Sequence, residues 1–295
     1  MNDSVALVIT LLGLTAIKAT PLIYAALGGV IAERAGVINI GLEGMLIAGA
    51  FAAVAISYIT SNLALATLAG VLAGALCGAL LGFAATRWRA DQIVAGTGLN
   101  LLAQGAAAFA LVIVFNQPGA SKEVTGFNSL GAWGPDVLVA LALVLPFAVH
   151  ALLYGTVWGL RLRACGENPA AAESAGVDPL RTRMWAVTIS GALAGLGGAY
   201  LSIGELTLYS DGMIAGRGFI ALAAVIFGRW TPLGAFGACL FFGIFSALQF
   251  TLQRAGIPSQ LMQALPYLAA LVAIAGVVGR ARAPQADGIP YSRAN

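Results

Sequence analysis

Charge is what this chain has least of: 9% of its 295 residues are Asp, Glu, Lys or Arg, against about a quarter in soluble domains. Lysine occurs only at Lys18 and Lys122, histidine only at His150, and cysteine at Cys77, Cys165 and Cys239. One histidine with no Cys/His cluster leaves metal hydrolysis without ligands, and cysteines lacking CxxC spacing indicate neither a zinc site nor a disulfide framework. GxSxG and HExxH are absent, which removes support for serine and zinc-hydrolase chemistry. The Walker A pattern is absent too, so the chain is expected to be no enzyme and to hydrolyse no ATP alone. Its basic residues are too dispersed for a nucleic-acid surface.

What is there in quantity is apolar: 60% of residues are hydrophobic, and the mean hydropathy is +0.91. Runs of roughly 17–25 apolar residues, long enough to cross a hydrocarbon core of about 30 Å, follow one another with no room for a soluble domain. Spans are expected at 5–31, 36–59, 63–85, 92–115, 137–157, 184–204, 212–228, 232–250 and 261–279. The first has no positive leader and reads as a retained helix. The fold class is therefore an all-α polytopic membrane protein of eight or nine transmembrane helices, a single domain over 1–295. The seventh segment has an unbroken apolar core only from Phe219 to Gly228, with Arg217 between two glycines before it. Two readings stand: a broken or re-entrant helix lining protein or water, and a short helix with Arg217 reaching the interface.

Arginines orient the chain. With the 158–183 segment in the cytoplasm, Arg34, Arg87, Arg89, Arg161, Arg163, Arg181, Arg183, Arg229, Arg280, Arg282 and Arg293 lie inside. The positive-inside rule then gives an outward N terminus and a cytoplasmic tail over about 280–295.

Glycines at 70, 74, 78 and 82 repeat every fourth residue and mark a close-packing helix face. Asn39 and Glu43, four residues apart, are read as sharing a face of the second helix, with Glu43 roughly 10 Å below the cytoplasmic boundary. A carboxylate at that depth must be paired, protonated or wet. Lys18, midway along the first span, is the expected partner. Three roles for Glu43 stay open: a packing contact, a wall of a transport path, and a proton-coupling site. Asn100, Gln104 and Gly105 echo Asn39, Glu43 and Gly44, as a parallel repeat would.

In the loop of about 158–183, Asn168 is a good N-cap, Pro169 suits the first helical position, and Gly176 suits the stop. A helix of under two turns is unstable alone and must dock on something; a groove on another protein and a capped interfacial turn that merely connects two spans both stay open. Asp178 and Pro179 repeat the start signal, and Arg181 and Arg183 are read as lying at the membrane interface.

The segments ERAGVINIGLEGM (Glu33 to Met45), RACGENPAAAESAGV (Arg163 to Val177), SGALAGLGGAY (Ser190 to Tyr200) and AGRGFIALAAVIFGRWTPLGA (Ala215 to Ala235) resemble permease subunits of ATP-binding cassette (ABC) importers for nucleosides and simple sugars. That family is related to ribose-type and branched-chain amino acid permeases. The resemblance implies a bacterial inner-membrane location and a short cytoplasmic coupling helix set in a cleft of a separate ATPase, which binds the ATP, the permease itself holding no cofactor. Its implied contact residues are Gly166, Asn168, Ala171, Ala172, Glu173 and Gly176. A second, non-identical permease, an extracytoplasmic solute-binding protein, membrane lipid and the small-molecule solute complete the implied partners. The path candidates are Lys18, Asn39, Glu43, Asn100, Gln104 and Arg217. The competing expectation is a proton- or sodium-coupled secondary transporter using Lys18, Glu43 and Arg217.

Overall fold

The computed structural model describes residues 3–127, 134–252, 268 and 282–292. The described residues form α1 (Asp3–Arg34), α2 (Leu42–Thr60), α3 (Leu63–Thr86), α4 (Gln92–Phe115), α5 (Gly134–Gly155), α6 (Val157–Glu167), α7 (Pro169–Ser174), α8 (Pro179–Ala199), α9 (Arg217–Phe227) and α10 (Pro232–Leu252). A π-helical turn, Tyr200–Glu205, prolongs α8. Seven of these helices are long and apolar enough to cross a membrane, so the chain is a multi-pass, all-α protein. They answer the first six expected spans and the eighth. The ninth, 261–279, lies outside the described residues. The seventh is a broken segment: α9 has 11 residues, about 16 Å of rise against a core of about 30 Å.

Short polar caps set the antiparallel turns. The Asn62 side chain accepts from the N–H groups of Ala64 and Leu65, and Asp91 does the same for Ile93 and Val94. Each satisfies donors that a helix start would otherwise leave open. The outward stripe of α3, Leu65, Leu68, Leu72, Leu76 and Leu80, is exposed, as suits a face in lipid.

The opposite stripe of α3 is the glycine ridge, and it packs on α8. A Cβ added at Gly74 would stand 2.2 Å from the Gly191 carbonyl oxygen, and one at Gly78 would stand 2.4 Å from that of Val187. Across the seam, a Cβ at Gly195 would lie 2.3 Å from the Gly70 oxygen. α2 joins the same centre, since a Cβ at Gly198 would lie 2.1 Å from the Leu46 oxygen. Backbones this close exclude any larger residue and weld α2, α3 and α8 into one block. α1 runs against that block with Ile23, Tyr24, Leu27 and Ile31 fully buried, and the Tyr24 hydroxyl donates to the Leu138 carbonyl of α5 at 2.8 Å.

Three local expectations change. The second helix starts at Leu42, not near 36, because residues 35–41 form a buried non-helical passage in which Gly36 has φ +91°. Asn39 therefore precedes the helix and shares no face with Glu43. Between the fifth span and the short helix the chain folds into α6, started by the Thr156 side chain accepting from Gly159 N–H at 3.1 Å.

Candidate functional site

The start of α2 has no cap of its own, since Gly41 precedes it. Asn100 supplies one from α4: its Oδ1 accepts the Gly44 N–H at 2.8 Å, and its Nδ2 donates to the Ile40 carbonyl at 3.0 Å. Glu43, in the first turn of α2, reaches the other way. Its Oε1 accepts the Gly216 N–H at 2.8 Å and its Oε2 the Gly218 N–H at 2.7 Å. Those donors open α9, where the helix dipole is positive, so the carboxylate closes the end of the broken helix. A side chain at 218 is excluded, because a Cβ there would lie 2.4 Å from the Glu43 nitrogen.

Glu43 is thus held by α9 rather than by Lys18. Lys18 pairs instead with Glu205, at the end of the π-helical turn. Arg217 donates to the Met213 and Ile214 carbonyls at 2.7 and 3.1 Å, closing the turn before α9. Asn39 is fully buried and donates to Ser190 Oγ at 2.8 Å, pinning the 35–41 passage to α8.

A cavity of about 340 Å³ opens beside the Glu43–α9 junction, within the roughly 300–1,000 Å³ common for small-molecule sites. Glu43, Thr97, Asn100, Gln104, Tyr209 and Phe219 line it. The structure brings together Glu43, Asn100 and Gln104 of the expected path residues and leaves Lys18, Asn39 and Arg217 out of the lining. Glu43 and Asn100 already hold backbone groups, whereas Gln104, one turn further along α4, is an exposed part of the lining. Tyr209 is set by loop pairing: its N–H donates to Ser121 Oγ at 2.9 Å, and its carbonyl accepts from Ser121 N–H at 2.7 Å. Burial, with a smaller push from Asp211, raises its hydroxyl to about 12, so it stays a neutral phenol. The cavity thus offers the Gln104 side chain, the Thr97 hydroxyl and the Phe219 ring, with Tyr209 buried in its wall. Thr97, Tyr209 and Phe219 carried no sequence signal, being ordinary residues of a span, a loop and an apolar run.

At the α7 end of the bundle the capped short helix is present. Asn168 Oδ1 accepts the Ala171 N–H at 3.0 Å, Pro169 opens the helix, and Gly176 ends it with φ +84°. Asn168, Ala171 and Gly176 are exposed, and Glu173 is half-buried. Gly166 and Ala172 are not available to a partner: both are buried within this chain. A Cβ at Gly166 would lie 2.2 Å from the Arg34 carbonyl oxygen, so that glycine serves internal contact. A cleft of about 380 Å³, lined by Arg87, Arg181, Met184 and Trp185 among others, opens just beyond α7.

Arg183 is the largest departure at this end. It is 2% exposed rather than interfacial. Its guanidinium donates to the carbonyls of Ala35, Cys165, Ala286 and Ile289. Nearby, Trp230 Nε1 donates to buried Glu33, and Arg34 Nε donates to the Trp230 carbonyl at 2.6 Å. These contacts fasten the end of α1 to the turn between α9 and α10.

Residues 11–278 match the family described as branched-chain amino acid transport system / permease component. The guanosine ABC transporter permease protein NupQ of Bacillus subtilis is 37% identical, with 94% of this chain and 94% of that protein covered. The nucleoside ABC transporter permease protein NupC of Lactococcus lactis is 38% identical over 93% of this chain and 94% of its own length. A putative glucose ABC transporter permease protein of Haloferax volcanii, TsgC13, is 32% identical over 81% and 76%. B. subtilis and L. lactis each have a second, more distant relative, NupP at 28% and NupB at 24% identity. No solved structure matches. The chain belongs to the permease-component family of the branched-chain amino acid transport systems.

Proposed function

We propose that this chain is the permease subunit of an ABC importer that carries a nucleoside, with the cavity beside Glu43 as part of the path. The observation that carries the solute class is the lining: the Gln104 amide and the Thr97 hydroxyl oxygen can hydrogen-bond a ribose or base edge, while the half-exposed Phe219 offers a ring face. A simple sugar would use the first pair and leave the ring idle. The two most similar relatives named above are nucleoside permeases, which agrees with that choice.

The second permease is proposed to be a non-identical chain, because each of two bacteria has both a nearer and a more distant relative of this one. The exposed face of α7, with Asn168, Ala171, Glu173 and Gly176, is proposed as the contact with a separate ATPase. An extracytoplasmic solute-binding protein would deliver the nucleoside at the opposite face. The arginine distribution supports an outward N terminus and a cytoplasmic α7.

The mechanism follows from where the rigid and the broken parts lie. α2, α3 and α8 move as one block because their glycine seams leave no slack. α9 is joined to that block through the Glu43 carboxylate, so a tilt of α2 must carry the start of α9 and change the mouth of the cavity. Gln104→Ala should reduce uptake of a radiolabelled purine nucleoside in cells by about tenfold with unchanged protein level, consistent with one or two lost solute hydrogen bonds. Uptake unchanged in that variant would remove the cavity from the path.

A further inference from the structure

α7 is too short to transmit a push by its own rigidity, but one of its side chains is tied to a remote part of the sequence. The Glu173 carboxylate accepts a hydrogen bond from the Tyr291 hydroxyl, near the C terminus. The segment that carries Tyr291, residues 282–292, lies back across the same end of the bundle. Ala286 N–H donates to the Gly166 carbonyl at 2.9 Å, and Gln285 N–H reaches the Glu167 carboxylate at 3.3 Å. Its carbonyls at Ala286 and Ile289 take Nη2 and Nη1 of Arg183 at 3.1 and 2.8 Å. Through Nε, Arg183 also holds the Ala35 carbonyl at 3.1 Å, at the end of α1. Space for this is made by Gly36, where a Cβ would stand 2.5 Å from Arg183 Nη2.

We propose that residues 282–292 form a strap that belongs to the coupling unit, tying α7 to the second turn of α8 and the end of α1, with Tyr291 and Arg183 as its positioning residues. This rests on the reading of α7 as the ATPase contact. The fit is one of complementary groups: a guanidinium has five donors in a fixed fork and can gather carbonyls from separate segments without burying a second charge. A displacement of α7 then reaches α8 along the strap as well as through the Ala175–Asp178 backbone. Through Ala35 it also reaches the passage that leads to Glu43.

The test uses the full importer in lipid nanodiscs or proteoliposomes, with Tyr291→Phe, Glu173→Ala and the double variant. ATP hydrolysis and nucleoside uptake are measured together and expressed as solute moved per ATP. Tyr291→Phe should leave the ATPase bound and lower that ratio by about fivefold, the effect of one net hydrogen bond. The double variant should be no worse than either single change, since all three remove the same contact. An unchanged ratio in both single variants, or losses that multiply in the double variant, would overturn the strap. Failure of the α7 reading would look different: Ala171→Asp on the exposed face would leave ATPase binding intact. Deleting residues 282–295 provides a second check, because a purely structural tail would lower yield and uptake together and leave solute per ATP constant in the complexes that remain.

Discussion

Glu43 is the residue on which the two halves of the site meet. Its two oxygens satisfy the Gly216 and Gly218 N–H groups, and leaving a buried donor open costs about 1–3 kcal/mol. Glu43→Ala should therefore lower stability by roughly 2–6 kcal/mol and abolish uptake. Glu43→Gln keeps one acceptor oxygen, so it should fall between, as thermal unfolding in detergent would show. That Glu43 needed a partner was legible from its depth in an apolar run. That the partner would be backbone from a segment over 170 residues away was not, because no sequence pattern records which helix end faces which carboxylate. Lys18 was the natural guess by charge, and the fold spends it on Glu205 instead. Arg183 was hidden for the same reason: its acceptors are carbonyls, which every residue carries. At the strap, burial raises Asp287 from 3.8 to about 7, with Arg183 opposing and Glu33 nearby. The docked strap thus binds this proton more tightly than the free one. Docking is strongest below about pH 4 and weakens as pH rises through about 7. Hydrogen-exchange protection of 282–292, corrected for intrinsic rate, should be higher at pH 5.5 than at pH 8, and Asp287→Asn should remove the difference.

Among the elements, the glycine ridge of α3 and the capped helix α7 were both readable from spacing and cap chemistry, whereas the helix facing that ridge, α8, was not. Four glycines at intervals of four state a backbone contact, and Asn-Pro followed by alanines and a glycine states a short helix with fixed ends. α9 was readable only as an oddity, too short and flanked by glycines, because its length is completed by the turn and carboxylate that hold it. α6 left a weaker trace: it is amphipathic and partly charged, and its Thr156 cap is no stronger a signal than many others. Gly191→Ala should cost about 1–3 kcal/mol by forcing the seam apart, whereas the same change at Gly98, which has open space around it, should be close to neutral. Unfolding midpoints of the two variants make that comparison directly. Asn168→Ala should destabilise α7 by about 1 kcal/mol and reduce coupled ATP hydrolysis without changing the yield of folded permease.

For the whole molecule, the orders of rigidity assign the work. A welded block of α2, α3 and α8 is proposed to carry force, the short α9 and the loop residue Tyr209 shape the cavity, and α7 with its strap is proposed to meet the partner. Composition alone placed the chain in a membrane, and the four recognisable segments correspond to the α1–α2 passage, the α6–α7 unit, the seam of α8, and α9. The lipid-facing stripes carried no such imprint because lipid asks only for apolar surface. Ala171 is exposed where Ala172 is buried, so a charge at 171 challenges the partner contact without disturbing the core. The most direct measurement is uptake of a radiolabelled purine nucleoside by cells whose sole copy carries Ala171→Asp, with protein level controlled and an uncoupler added in parallel at constant ATP. ATP-driven coupling through α7 predicts at least a tenfold loss in the variant, on the order of 1.4 kcal/mol or more of lost contact, and no effect of the uncoupler on the native chain. Uptake that survives Ala171→Asp and collapses with the proton gradient would contradict it.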